Sequence, residues 1–333
     1  MKCVCKQFKM ITETGQDILK AASFLQKAEL VAIPTETVYG LAANALNEDA
    51  VLKIYAAKNR PQFNPLILHV ASFEQATHFI KDIPAEAEQL AAAFWPGPLT
   101  MLFNKQQTVP DIVTAGSKRV AIRVPNHPLT LQLLSQLDFP VAAPSANPSG
   151  YVSPTIAKHV LEGLHDKIPY ILDGGPCGVG VESTIVGWNE DGELELHRLG
   201  GIAIEQIENV IGKKIKHHKK ITDNPSAPGQ LKSHYATHTP LYIGTIDELL
   251  PIFADKKIIT INFRQHAAAL PTEQQFILSP SGSAAEAAKH LFRVLREADG
   301  MHADVILAEL LPDEGLGKAV NDRLERAQHS MKS

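Results

Sequence analysis

The chain has 333 residues, of which 44% are hydrophobic and 20% charged, with a formal net charge of −4. These proportions exclude global disorder, and the slight acidity argues against a protein whose main work is to coat nucleic acid or an anionic membrane. The length suits about two domains of roughly 150 residues, with a core that needs no staples.

The three cysteines, Cys3, Cys5 and Cys177, form no CxxC pair. Neither a disulfide framework nor a zinc-ribbon spacing is present, and no metal site is expected. No apolar run reaches the roughly 18–20 residues of a membrane helix. Lys2 and Lys6 near the N-terminus are followed by no apolar h-region, so the expected compartment is the cytoplasm. Met10 reads as an alternative start, because recognisable structure begins only after Thr14.

In chain order, Asp17 to Leu30 carries apolar residues at helical spacing, and Leu30 to Ile33 is a short strand stopped by Pro34. Asp49 to Lys58 is a helix, Leu66 to Val70 a buried-type strand, and 73–81 and 85–94 are helical. Thr100 to Phe103 and Val120 to Val124 are strands, and Pro128 to Leu137 a helix with proline in its first turn. Val141 to Ala143, Tyr170 to Asp173 and Ser183 to Trp188 are further strands. After Gly201 a short helix runs to Ile211. A polar, basic stretch over 212–224 and the turn-rich Ser226-Ala227-Pro228-Gly229 then make 212–238 a linker. The alternation restarts at Pro240, with strands at 241–243, 258–261 and 305–307 and helices at 247–253, 284–298 and 318–327. Interleaved strands and helices indicate an α/β protein. The reading divides it into a catalytic domain over 14–205, a linker over 206–239 and a smaller α/β domain over 240–333.

The common nucleotide and hydrolase signatures are missing. There is no GxxxxGK[ST], no HExxH and no GxSxG, and Gly178-Val179-Gly180-Val181 lacks a third glycine. Polar clusters at strand ends remain, where open α/β sheets gather ligands. Pro34-Thr35-Glu36-Thr37-Val38-Tyr39-Gly40 reads either as a capped turn or as donors and acceptors for a small zwitterion. Lys58-Asn59-Arg60-Pro61, followed by Asn64-Pro65, reads as a helix C-terminus complementing its dipole or as a rigid cationic clamp for phosphates. His69 stands on the strand face opposite Leu68 and Val70. Arg119, Ala121 and Arg123 share one face of a half-buried strand, where arginine is costly unless it meets an anion. Ala143-Pro144-Ser145-Ala146-Asn147, Ser153 and Glu182-Ser183-Thr184 are small, polar and open to close backbone approach.

The ordered set is more specific than its parts. With Trp95-Pro96-Gly97-Pro98-Leu99-Thr100, Arg123-Val124-Pro125 and Glu182-Ser183-Thr184-Ile185, it resembles the YrdC-like family. Ser226-Ala227-Pro228-Gly229 and His234-Tyr235-Ala236 resemble the linker of its longer, two-domain class. Glu314-Gly315-Leu316-Gly317, Asn321 and Arg323 resemble its C-terminal pattern. The resemblance implies a twisted mixed α/β sheet with helices and a positively charged concave face, then a linker and a smaller Rossmann-like α/β domain. It implies a nucleotidyltransferase that joins L-threonine, bicarbonate and ATP into threonylcarbamoyl-adenylate and pyrophosphate. Other proteins would then transfer the threonylcarbamoyl group to an adenosine beside the anticodon of tRNA. Mg²⁺ would accompany the triphosphate, held mostly by phosphates and water.

By the same resemblance, Thr37, His69, Arg123, Ala143 and Ser183 surround threonine. Arg60, Asn64, Ser145, Ser153, Arg198 and Tyr235 contact the nucleotide, with Asn147 in the matching loop. Lys58 lies near the phosphates and the backbone at Arg119 near the adenosine. Lys58, Arg60 and Arg123 are the catalytic cations, and the C-terminal domain is a cover or a partner-binding module. Two alternatives stand beside this reading. One is a module for double-stranded RNA or tRNA, against which the net charge and the lack of interleaved aromatics speak. The other is a carbamoyl-transfer enzyme like the related module of hydrogenase-maturation proteins, whose CxxC pairs are absent here.

Overall fold

The computed structural model describes residues 11–218 and 235–329. Cys3, Cys5, Met10, the Ser226–Gly229 turn and His234 lie outside these residues. The first half opens with β1 (Glu13–Gly15), α1 (Ile18–Gln26), β2 (Val31–Ile33), β3 (Gly40–Asn44) and α2 (Glu48–Lys58). It continues with β4 (Ile67–His69), α3 (Phe73–Thr77), α4 (Ala85–Phe94), β5 (Leu99–Asn104), α5 (Asp111–Thr114) and β6 (Arg119–Arg123). Then come α6 (Pro128–Ser135), β7 (Val141–Ala142), α7 (Ala157–Leu164), β8 (Tyr170–Leu172), β9 (Thr184–Trp188), β10 (Leu194–Arg198), α8 (Ile204–Ile211) and β11 (Lys216–His217).

The strands form one mixed sheet in the order β1-β8-β2-β3-β7-β4-β6-β5-β9-β10-β11. Register places Ile67, Ala121, Leu102, Gly187 and Glu195 side by side across five strands. His69 pairs with Arg123 in the row beyond Ile67. Because side chains alternate, all these positions share one face. Leu66, Leu68, Val120, Ile122, Leu194 and Leu196 point the other way, into the main core with the inner sides of α2 and α4.

Local chemistry fixes the element carrying the cations. Asn47 caps α2 by accepting from Ala50 N at 3.0 Å, and Glu48 and Asp49 occupy its first turn. Asn59, left-handed at φ 51°, ends the helix, so Lys58 closes it and Arg60 starts the loop.

The second half is a four-stranded parallel sheet, β12 (Leu241–Ile243), β13 (Ile258–Asn262), β14 (Gln275–Ile277) and β15 (Val305–Ala308), in the order β12-β15-β13-β14. Short α9 (Ile246–Leu249) and the long α10 (Ala284–Gly300) and α11 (Gly317–His329) accompany it. Among the described residues no helix is long and apolar enough to cross a membrane.

Several boundaries differ from the sequence reading. The first helix stops at Gln26 because Ala28 turns left-handed at φ 57°. The helix expected over 247–253 is one α turn followed by a 3-10 turn over Leu250–Phe253, where Pro251 can donate no backbone N–H. Residues 204–217, mostly grouped with the linker by composition, belong to the first half. There α8 packs on α4, and β11 pairs with β10.

The two halves share a core. Val38, Val152, Val181 and Tyr235 pack with Leu291 and Phe292 of α10. Arg323 of α11 is wholly buried, and its Nε and Nη2 donate to Glu182 Oε2 at 3.2 and 3.1 Å. Arg296 donates to the Val152 carbonyl at 2.6 Å and lies 4.7 Å from the Tyr151 ring centroid. Tyr151 in turn donates to Asp299 at 2.9 Å. Gly180 sits in the seam at φ +80°, where a Cβ would lie 2.5 Å from Lys289 Cα.

Candidate active site

Where the cross-sheet rows meet the loops after β2 and β7, a small cavity of about 50 Å³ opens. Thr35, Thr37, Arg60, His69, Arg123, Ala143, Ser145, Ser183, Arg198 and Tyr235 line it, with Glu182 at its edge. The loop after β2 presents its hydroxyls in a fixed sense. Thr35 Oγ1 donates to the Val38 carbonyl at 2.6 Å, which leaves it as acceptor for Thr37 Oγ1 at 2.8 Å. Thr37 Oγ1 accepts from Arg123 Nη1 at 2.8 Å. A donor chain thus runs from Arg123 through Thr37 and Thr35 to the backbone. Arg123 is further held by the Gly97 carbonyl at 3.1 Å, and its Nη2 lies 2.7 Å from Glu36 Oε2.

The other cations differ in surroundings. Arg60 donates to the carbonyls of Asn64 and Pro65, at 3.3 and 3.0 Å, and makes no ion pair among the described residues. Burial, with repulsion from Arg198, lowers its pKa to about 10, so it stays charged at neutral pH. Arg198 donates to the Ser183 carbonyl at 2.9 Å and to Ser183 Oγ at 3.1 Å. Burial lowers its pKa to about 10 as well. His69 donates from Nδ1 to the Ile67 carbonyl at 3.2 Å, which leaves Nε2 as an acceptor. Burial and Arg123 push its pKa down to about 3, so the ring is neutral.

Of the residues picked out in the sequence, Thr37, Arg60, His69, Arg123, Ala143, Ser145, Ser183, Arg198 and Tyr235 come together at the cavity. Lys58, Asn64, Asn147 and Ser153 stand behind its wall. Lys58 is buried and donates to the carbonyls of Ser145 and Asn147, which fixes the loop after β7. Burial and Arg60 hold its pKa well below the usual lysine range. Asn147 Nδ2 donates to the Tyr151 carbonyl at 2.8 Å, and Ser153 to Glu182 Oε1 at 2.7 Å. Arg119 is not brought to this cavity. It stands at the other end of β6 and donates to the Trp188 carbonyl at 3.2 Å, beside a separate cleft that Lys118 also lines. The sequence reading left Thr35 out of the site residues, although its place two residues before Thr37 was a signal. It also missed Arg323 as the partner of Glu182, since nothing local links α11 to the loop before β9.

Such a pocket, with buried guanidiniums among oriented hydroxyls and a neutral imidazole, is that of an α/β enzyme and has the charge to receive anions. A family profile for Sua5, YciO and YrdC, described as telomere recombination, matches residues 23–200. A second, described as the threonylcarbamoyl-AMP synthase C-terminal domain, matches 202–328. The threonylcarbamoyl-AMP synthase of Pyrococcus abyssi is 44% identical, with 92% of each chain covered. That of Bacillus subtilis is 41% identical over 95% of this chain and 94% of its own. The crystal structure of P. abyssi Sua5 complexed with L-threonine superimposes with a TM-score of 0.88 at 42% identity, covering 96% of this chain and 98% of the other. The chain belongs to the Sua5/YciO/YrdC family, in its two-domain threonylcarbamoyl-AMP synthase branch.

Proposed function

We propose that this protein makes threonylcarbamoyl-AMP from L-threonine, bicarbonate and ATP, releasing pyrophosphate. The observation that carries the reading is Arg60, a buried, charged guanidinium with no carboxylate partner among the described residues, beside Arg198 and Arg123 at one cavity. A buried charge left this way is costly unless an anion meets it. The substrates bring a threonine carboxylate, a carbamate and a triphosphate.

The threonine amine adds to the bicarbonate carbon and water leaves, giving an N-carboxylate. One oxygen of that carboxylate attacks the α-phosphorus of ATP, a new P–O bond forms, and the bond to pyrophosphate breaks. Such transfers depend on positioning and charge stabilisation. Thr37 and Ser183 hold threonine beside Arg123, and the neutral Nε2 of His69 accepts a proton-bearing group. Arg60 and Arg198 take the phosphates, with Ser145 beside them. Lys58, Asn147 and Ser153 act one layer back, by fixing the loops. Tyr235 covers the nucleotide.

The carboxylates nearest the cavity, Glu36 and Glu182, are already engaged by Arg123 and by Arg323. They offer no cage for a resident metal, and Mg²⁺ enters with ATP as part of the substrate. The product passes to proteins that modify tRNA in the cytoplasm. Pyrophosphate release with ATP, Mg²⁺ and bicarbonate, with and without L-threonine, tests the proposal. Threonine-dependent release with an AMP-containing product is expected, and release indifferent to threonine would overturn it.

A further inference from the structure

A second group of side chains converges on the same sheet face, at the end of the row that starts with Ile67. Glu195 and His197 both lie on β10, whose register shifts between Leu196 and Arg198. His218 follows directly on β11, which pairs with β10. One ligand-type atom from each of the three lies within 4.8 Å of the other two. His218 Nδ1 is 2.6 Å from Glu195 Oε2, and the imidazoles of His197 and His218 stack with centroids 4.4 Å apart. Asn189 Nδ2 donates to Glu195 Oε1 at 3.2 Å and holds the carboxylate from behind.

The neighbouring strand leaves room for this group. Gly187 of β9 faces Glu195, and a Cβ there would lie 3.2 Å from His197 Nε2 and 2.8 Å from Leu102 Cβ. Glu195 and His218 also border a cleft of about 710 Å³ that Arg119 and Asp191 line, so water reaches them. None of the three lines the arginine cavity.

We propose that Glu195, His197 and His218 bind one divalent transition metal ion of the zinc type. Two imidazoles and one carboxylate would hold one side of the ion and water from the cleft the other. Nitrogen donors favour Zn²⁺, Co²⁺ or Ni²⁺ over Mg²⁺ and Ca²⁺, which take oxygen sets. Asn189 supplies the outer hydrogen bond that orients a ligating carboxylate. The ion clips β11, only two residues long, to the edge of the large sheet. Arg119 shares the face and opposes the added charge, so the site binds more weakly than a four-ligand structural zinc site.

The test uses the full chain carrying Cys3→Ser and Cys5→Ser, which removes the N-terminal thiols as donors, after stripping with a chelator. Equilibrium dialysis against Zn²⁺ and against Co²⁺ is expected to give one ion per chain, and Co²⁺ to show visible d–d bands. Glu195→Gln and His218→Ala, both at partly exposed positions, are each expected to weaken binding at least about tenfold. His217→Ala, on the exposed neighbour, is expected to change nothing, and circular dichroism checks that the variants fold. Binding unchanged in Glu195→Gln and His218→Ala, binding that follows His217, or no bound ion overturns the proposal.

Discussion

Arg60 and Arg323 are both buried arginines, and their surroundings are opposite. Arg60 donates to two carbonyls and makes no ion pair among the described residues, and burial lowers its pKa to about 10. Burial works against the charge of Arg323 too, but Tyr235, Glu182 and Asp322 outweigh it and raise its pKa. One guanidinium has no carboxylate partner among the described residues. The other joins two halves of the chain around a carboxylate that the protein does supply. The difference is between a guanidinium that lines the cavity and one that holds the seam.

The largest test of this contrast is Arg323→Ala. It removes the buried guanidinium from Glu182, which keeps its hydrogen bond from Ser153, and is expected to destabilise the protein by about 3–5 kcal/mol in urea unfolding. A loss below about 1 kcal/mol, a typical exposed-pair value, would erase the contrast. Arg60→Ala is expected to lower threonine-dependent pyrophosphate release by about 10²–10³-fold. Its melting temperature should hold or rise, because an uncompensated charge is removed. Retained turnover would take Arg60 out of the site.

Tyr151→Phe probes the seam alone. Losing the hydrogen bond to Asp299 is expected to cost about 1.5 kcal/mol of stability while the affinity for threonine holds. A threonine affinity that fell as far as stability did would show that seam and pocket are not separable.

A pH effect extends the comparison to the buried imidazoles. Burial pushes the pKa of His159, behind the seam, and of His69, in the pocket, down to about 3. In the unfolded chain imidazoles take up a proton near 6.5, so between these values the unfolded state binds more protons. Stability is therefore full above about pH 6.5 and falls toward pH 3, by at most about 1.4 kcal/mol per pH unit for each ring. His159→Gln is expected to flatten this slope by up to one ring's share. An unchanged slope would mean that His159 takes up its proton without unfolding.

Much of the pocket was legible because its parts are local. Thr37, Arg60, Arg123 and Ser183 each sit at the end of an element that apolar runs or proline punctuation mark. Strand alternation alone placed His69 opposite Leu68. The seam was not legible, since Glu182 and Arg323 meet across 141 positions and neither sequence environment names the other. Arg119 shares its face with Arg123, as period two requires, yet five residues of strand carry it into a different cleft. The strand β10 was missed although Leu194, Glu195, Leu196 and His197 alternate cleanly, because five residues between turns give little pattern to read.

Gly180 has a genetic consequence. Its left-handed backbone touches α10 through Lys289 Cα and the Ala288 carbonyl, with no side chain between them. Every missense codon one base away from glycine adds a Cβ at that spot. Such a change drives a wedge between loop and helix while leaving the residues of both cores intact. Codon 180 is thus a place to seek heat-sensitive alleles, in which the contact between loop and helix fails first.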